Sequence, residues 1–204
     1  MHIELLGLSG VKIQSSETVV LLSPPSEKSE LKSSRMKADI VVLGKPSDKI
    51  NVDPRAEKLF IIENSGEYES SGVFIYSIAN PAKGEINSLL TSITMEGITI
   101  AHLGSLNSEL TEAQIDLFEG ADILMIPVGG NDVLDEKRAN DIVAKLEPRI
   151  VIPMHFAQKG IKTKYNDVAN FLKEVGSQVK AEEKFKITKK DLPQETMEVV
   201  YLSP

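Results

Sequence analysis

The sequence contains no cysteine, and this absence excludes several kinds of site at once. Disulfide bonds, thiolate metal sites and cysteine nucleophiles all require that residue. No apolar run approaches the ~20 residues that a transmembrane helix needs, so we expect no membrane-spanning segment. The first residues, Met1-His2-Ile3-Glu4, lack the basic and apolar regions of a signal peptide. We therefore expect a cytoplasmic protein.

The composition is that of an ordinary globular protein. Of the 204 residues, 41% are hydrophobic and 26% are charged, and we expect a single domain over residues 1–204. The formal net charge is −7. Because an acidic chain does not suit a nucleic-acid backbone or an anionic membrane surface, we expect neither as a partner.

The hydrophobic pattern divides the chain into a β-rich first half and a second half of alternating helices and strands. Short apolar, β-branched runs predict strands at 3–6, 11–14, 18–22, 40–43, 58–62, 72–77, 89–95, 98–102, 123–128, 150–153, 181–188 and 197–202. The polar segment 26–37 predicts an exposed loop. Thr111 and Asp135 predict helix N-caps, and apolar spacing over 168–175 predicts a third helix. Helices of this kind cover continuous apolar strands, so the pattern predicts an α/β sandwich.

Five short motifs follow one another along the chain. They are Gly7-Leu8-Ser9-Gly10, Gly66-Glu67-Tyr68-Glu69, His102-Leu103-Gly104-Ser105, Pro127-Val128-Gly129-Gly130 and Ile152-Pro153-Met154-His155. In number, order and spacing they resemble the metallo-β-lactamase-fold metal-dependent hydrolase superfamily, in its compact ascorbate-phosphate-lactonase-like branch. The resemblance runs from about residue 3 to residue 156. It implies an α/β fold, the αββα four-layer sandwich of metallo-β-lactamase type.

The metal-binding motifs that this resemblance implies are largely missing. Family members carry H-x-H-x-D-H after an early strand, H-L-G-D later and a final histidine, which together hold a pair of Zn²⁺-like ions. Here the first motif is replaced by Gly44-Lys45-Pro46-Ser47-Asp48-Lys49, and Ser105 stands in place of the later aspartate. Leu8 and Ser23 also stand where the family usually has histidine and aspartate. Only Asp48 and His155 match ligand positions.

The loss of ligands within a retained framework predicts a non-catalytic pseudo-hydrolase that binds a ligand or a partner. Its vestigial cleft would be formed by Asp48, Lys49, Lys45, Ser105, His102 and His155. If Lys45 and Lys49 face this cleft, lysine replaces the metal cation and the site favours a small anionic ligand. Under this interpretation we expect no cofactor and assign no catalytic residue.

Two other interpretations stay open. An atypical, mononuclear metal site would use Asp48, His102 and His155 to hold Zn or Mn, and the resemblance then implies hydrolysis of a phosphodiester or lactone. Alternatively, the chain is a structural component of a homo-oligomer, or binds a protein partner, with no small ligand.

Several of these residues also have a purely structural interpretation. His155 fits a buried, hydrogen-bonded histidine, and Glu67 fits a solvated strand edge. The pair Gly129-Gly130 suits either a phosphate-binding turn or a tight turn kept for shape. A catalytic pairing of Ser9 or Ser105 with His155 depends on a proximity that the sequence does not give.

Overall fold

The computed structural model describes residues 1–31, 34–45, 48–81 and 87–204. Its strands are β1 (His2–Gly7), β2 (Gly10–Gln14), β3 (Val19–Leu22), β4 (Met36–Ala38), β5 (Ile40–Val42), β6 (Val52–Pro54), β7 (Phe60–Ile62), β8 (Gly66–Ser70), β9 (Val73–Pro81), β10 (Asn87–Met95), β11 (Ile98–His102), β12 (Ile123–Pro127), β13 (Ile150–Met154), β14 (Phe185–Lys186) and β15 (Glu198–Val199). The helices are α1 (Glu112–Phe118), α2 (Glu136–Leu146) and α3 (Val168–Glu174).

Two mixed sheets enclose the main hydrophobic core. The first has the strand order β14-β1-β2-β3-β5-β7, and the second has the order β15-β13-β12-β11-β10-β9-β8. Because side chains alternate along a strand, Val20 and Leu22 of β3 enter the main core, whereas Val19 and Leu21 belong to a second apolar cluster on the opposite face of that sheet. The predicted α/β sandwich is confirmed.

Helices cover the outer face of the second sheet. Strands β11, β12 and β13 are parallel, so α1 and α2 are crossover helices, which the usual right-handed connection places on one face of the sheet. Helix α2 packs against α3 and contacts β12. Thr111 forms the predicted capping box with Gln114, and Asp135 caps α2 by accepting a hydrogen bond from the Arg138 amide. No helix in the described residues is long and apolar enough to span a membrane.

A small β-sheet covers the outer face of the first sheet. Strands β4 and β6 pair in parallel, and Met36, Ala38 and Val52 pack on the second apolar cluster. The prediction of an exposed loop over 26–37 is therefore wrong at its end. The few residues that form β4 are too short and too polar to show a strand pattern in the sequence. They form a strand because they cover apolar side chains of β3 and β5 and exclude water from them.

The edges of the sheets differ from the sequence prediction. The predicted strands 181–188 and 197–202 shrink to β14 and β15, because each pairs with its sheet over only two register positions. Strand β8 was not predicted, but the expectation that Glu67 lies exposed on a strand edge is confirmed, since β8 ends the second sheet.

The arrangement of strands places several loops at one end of the sandwich. Strands β3 and β5 are parallel in the first sheet, as are β11, β12 and β13 in the second. The residues that follow their carboxyl ends line a single cavity; they include Ser23, Gly44, Gly104, Asp132 and His155. Strand carboxyl ends of this kind are common positions for binding sites.

Candidate ligand-binding site

The cavity at the carboxyl ends of the strands has a volume of about 670 Å³. The β1–β2 turn and the segment after β3 form much of its wall, and apolar contacts come from Leu8, Pro24, Pro25 and Leu31. Its charged lining side chains are Lys28, Lys45, Glu30, Asp48 and Asp132. The cavity is thus of mixed charge, with both lysines and carboxylates within reach of one small molecule.

The structure brings most of the predicted cleft residues together. Lys45, Asp48, Ser105 and His155 all line the cavity. His102 lies behind the wall and is fully buried, whereas Lys49 is exposed and is not part of the lining. Pro46 and Ser47 of the predicted motif lie outside the described residues.

A hydrogen-bond chain fixes the orientation of His155. The Ser9 hydroxyl lies 2.8 Å from the Gly104 carbonyl and 2.7 Å from Nδ1 of His155. The hydroxyl has one proton and donates it to the carbonyl, so it must accept from Nδ1–H. His155 therefore carries its proton on Nδ1, and its Nε2 is an unprotonated acceptor. The Ser9–His155 proximity that the sequence could not give is present, but the serine proton points away from the imidazole.

His102 holds Ser9 in place from the other side. Its Nε2–H donates to the Ser9 carbonyl at 2.8 Å, within the buried interior. The three side chains together join the β1–β2 turn to the ends of β11 and β13. This contact uses the Nε2 nitrogen of His102 for a structural bond.

Burial keeps both histidines neutral. It lowers the pKa of His102 to about 4, although the hydrogen bond to Ser9 acts in the opposite direction. Burial also lowers the pKa of His155 to about 4; the charge of Asp132 raises that pKa and the charge of Lys45 lowers it further. Desolvation disfavours the charged imidazolium, so both imidazole rings are neutral near pH 7.

Tyr165 and Asp132 border His155, and neither was identified from the sequence. The Tyr165 ring packs edge-on against the imidazole, with ring centroids 4.8 Å apart. Burial and the neighbouring Asp132 carboxylate raise the pKa of Tyr165 far above its usual value, so the phenol stays protonated. Asp132 could have been found from its position after a buried strand and a glycine pair, whereas nothing in the sequence around Tyr165 points to the site.

Three non-glycine residues of the cavity wall have left-handed backbone conformations. They are Leu8 with φ +48°, Ser23 with φ +45° and His155 with φ +56°. Such conformations are uncommon outside glycine and cluster at functional sites. Leu8 and Ser23 are also positions at which the resemblance described above implies histidine and aspartate.

Gly129 has a packing role beneath His155. A Cβ at position 129 would lie 2.2 Å from the His155 carbonyl oxygen and 3.0 Å from Cβ of Tyr165. This close approach favours the interpretation of Gly129-Gly130 as a turn kept for shape.

Glu30 ties the two loops at the mouth of the cavity, and its removal should loosen them. Its carboxylate accepts hydrogen bonds from the backbone amides of Lys162 and Thr163 and from the Thr163 hydroxyl at 3.2 Å. In Glu30→Gln we expect faster amide hydrogen exchange at residues 162 and 163, because the amide side chain is a weaker acceptor. The exposed Glu27 lies in the same segment, and Glu27→Gln serves as control. Equal exchange rates in both variants would contradict this role.

The residues around the cavity do not fit a two-metal site. A zinc site normally has three or four protein ligands. In the part of the chain that the structure describes, no three histidine, aspartate or glutamate side chains lie close enough to share an ion. Gly44 and Ser105 have no side chain suited to replace the expected histidine and aspartate, and Nε2 of His102 is already bonded to Ser9.

The family of the chain is shown by a sequence comparison. The family model described as "Beta-lactamase superfamily domain" matches residues 2–155, which include the residues lining the cavity except Tyr165. The chain belongs to this family, and it is a metallo-β-lactamase-fold superfamily member. The implied fold and the α/β sandwich of metallo-β-lactamase type are confirmed.

Curated relatives carry the same family resemblance over part of their length. A UPF0173 metal-dependent hydrolase of Pyrococcus horikoshii is 31% identical over an alignment of 107 residues that covers 46% of this chain and 44% of that protein. A UPF0173 protein of Pyrococcus abyssi is 38% identical over 61 residues, or 30% of this chain and 28% of that protein. The matched segments thus cover less than half of these relatives.

Solved structures share the fold over much more of the chain. A proposed Zn-dependent hydrolase of the metallo-β-lactamase superfamily from Thermotoga maritima superimposes with a TM-score of 0.82, 24% identity and full coverage of both chains. The isothiocyanate hydrolase from Delia radicum gut bacteria has a TM-score of 0.67 and 12% identity, and it covers 92% of this chain and 99% of its own. At these identities the likeness concerns the fold alone.

Proposed function

We propose that this protein binds a small anionic ligand in the cavity, without a metal ion and without hydrolysing it. The observation that carries the proposal is the replacement of metal ligands around a cavity that is still open. Gly44, Lys45 and Ser105 stand where the family resemblance implies ligands or their neighbours, and all three line the cavity. Lys45 supplies positive charge to the cavity in which the family resemblance implies a metal cation.

The other charges of the cavity restrict the ligand. Lys28 and Lys45 line the same space as Glu30, Asp48 and Asp132. Carboxylates repel a ligand with several negative charges, whereas a single anionic group can be placed beside a lysine. A small molecule with one anionic group suits this lining better than a polyanion.

A metal-dependent hydrolase is the second candidate function. It is favoured by the curated relatives that are named metal-dependent hydrolases and by the free Nε2 lone pair of His155. Against it stands the shortage of further ligands around the cavity. Asp48 and His155 line the same space, but His102 is behind the wall.

Metal content separates these two candidates. Protein purified at neutral pH without chelator, and without an affinity tag, is expected to contain far less than one equivalent of Zn or Mn by elemental analysis, because too few ligands converge. One equivalent or more, lost in His155→Ala, would contradict the proposal and revive the hydrolase. A phosphodiesterase and lactonase assay of the same preparation is expected to show no turnover above a heat-inactivated sample.

The proposal extends to the cellular setting. The sequence favours a cytoplasmic location and no nucleic-acid or membrane partner, whereas a protein partner or a homo-oligomer stays open. Size-exclusion chromatography with light scattering measures the last of these directly.

A further inference from the structure

One buried nitrogen in the cavity wall has no hydrogen-bond partner. His155 is only 7% exposed, and its Nε2 contacts no donor among the residues that the structure describes. Buried polar atoms without partners are rare in folded proteins, and each calls for an explanation. The other ring nitrogen is occupied by the Ser9 hydroxyl at 2.7 Å.

The chemistry of the missing partner follows from the state of the ring. Because the Ser9 hydroxyl donates to the Gly104 carbonyl, the proton of His155 is on Nδ1 and Nε2 can only accept. A metal ion is one possible partner for such a lone pair, but the remaining metal ligands are not present around it in the described residues. The alternative is a hydrogen-bond donor on a bound molecule.

The cavity offers complementary groups for the rest of that molecule. Lys45 lines the same space as His155 and provides a cation for an anionic group. Asp132, which also lines it, favours a donor or a positive charge near the imidazole. The wall of one cavity therefore combines the Nε2 acceptor of His155 and the Asp132 carboxylate with the Lys45 ammonium group.

We propose that the cavity selects small organic anions that also carry an O–H or N–H donor, and that His155 Nε2 accepts a hydrogen bond from this donor. A hydroxy acid or an amino acid has the required pair of groups, whereas the corresponding unsubstituted acid lacks the donor. The inference rests on the proposed function, because it requires that Nε2 is not bonded to a metal.

We expect binding to move Tyr165. Nε2 is closed to solvent in this conformation, and the half-buried Tyr165 ring both packs on the imidazole and lines the cavity. We therefore expect this ring to turn aside when a ligand donor reaches Nε2. Ligand binding is therefore expected to shift the aromatic resonances of Tyr165 together with those of His155.

The test uses matched probes that differ in one group. Lactate, alanine and propionate share a three-carbon acid skeleton with a hydroxyl, an ammonium group or hydrogen on the second carbon, and glycolate with acetate forms a second set. We expect the donor-bearing members to bind at least about tenfold more tightly, measured by NMR titration, because the others leave Nε2 unpaired. The ¹⁵N resonance of Nε2 should move on binding in the direction of a hydrogen-bonded acceptor.

Variants separate the acceptor from the rest of the cavity. Ser9→Ala removes the hydroxyl that keeps the His155 proton on Nδ1, and His155→Phe removes the acceptor nitrogen itself. Both variants should therefore lose the preference for donor-bearing probes. Lys45→Met should weaken all members of a set alike. Ser92→Ala, at a half-buried position of β10 that does not line the cavity, is the control and should change nothing. If His155→Phe fails to fold, the ¹⁵N shift of Nε2 in the wild-type protein and the probe preference of Ser9→Ala still test the inference.

The outcomes are distinct from those that test the proposed function. Equal binding of all members of a set, or no binding by any of them, overturns the donor–acceptor inference even if the protein is free of metal. Stoichiometric metal on the same preparation overturns the proposed function itself, and the inference with it. Selective binding by metal-free protein, abolished in Ser9→Ala, supports both.

Discussion

Acidification is expected to destabilise the fold through its two buried histidines. Burial lowers the pKa of His102 and of His155 from 6.5 to about 4. In the unfolded chain the same rings accept protons as the pH falls below about 6.5, so the unfolded state binds more protons over this window. Stability is therefore retained at neutral pH and lost as the pH falls, by about 2 kcal/mol for each ring at pH 5 and about 3 kcal/mol at pH 4.

The measurement is the free energy of unfolding in urea between pH 7 and pH 5. His102→Asn keeps a side-chain donor for the Ser9 carbonyl but does not titrate in this range, so it should have about half the wild-type slope. A direct check is the ring proton titration of His102 in the folded protein. A midpoint near 6.5 would show that burial does not control this group.

Adding one methyl group at Gly129 is expected to have the second large effect. In Gly129→Ala the new Cβ would meet the His155 carbonyl oxygen at 2.2 Å and the Tyr165 Cβ at 3.0 Å. The first contact is with backbone, which cannot swing away as a flexible side chain does. We expect a loss of about 3 kcal/mol in unfolding free energy, at the upper end for overpacking, together with weaker ligand binding.

Gly44→Ala is the matched control for this substitution. Neither glycine has a left-handed backbone, so the comparison isolates steric contact. A Cβ at position 44 would lie 3.1 Å from the Ser23 side chain, which can give by a few tenths of an ångström. We expect a cost below about 1 kcal/mol in denaturant unfolding. Similar losses in both variants would show that the position under His155 is not special.

These predictions share one structural origin in the chain of contacts around Ser9. His102, Ser9 and His155 connect the β1–β2 turn to the ends of β11 and β13 by hydrogen bonds at 2.7–2.8 Å. Both histidines thus have roles that need no metal ion. Among the described residues, these hydrogen bonds leave Nε2 of His155 without a hydrogen-bond partner in the protein.

The sequence by itself determined the layered fold, and it predicted the loss of metal motifs. Apolar runs such as Ile123–Pro127 and Ile150–Met154 predict buried strands because no polar residue interrupts them, and Thr111 and Asp135 mark helix starts through local hydrogen bonds. These signals lie within a few residues of one another, so they can be read from the chain. The absence of the expected ligands is likewise a matter of residue identity.

Only the tertiary structure decided how the site is assembled. Ser9 and His155 are 146 positions apart, and their contact depends on two sheets packing with the same ends together. Tyr165 joins the site through a loop without a pattern, and β4 forms because a distant apolar face needs cover. His102 was expected in the cleft but lies buried behind its wall, and Lys49 is exposed and outside the cavity lining. Long-range packing sets these positions, and no local pattern encodes it.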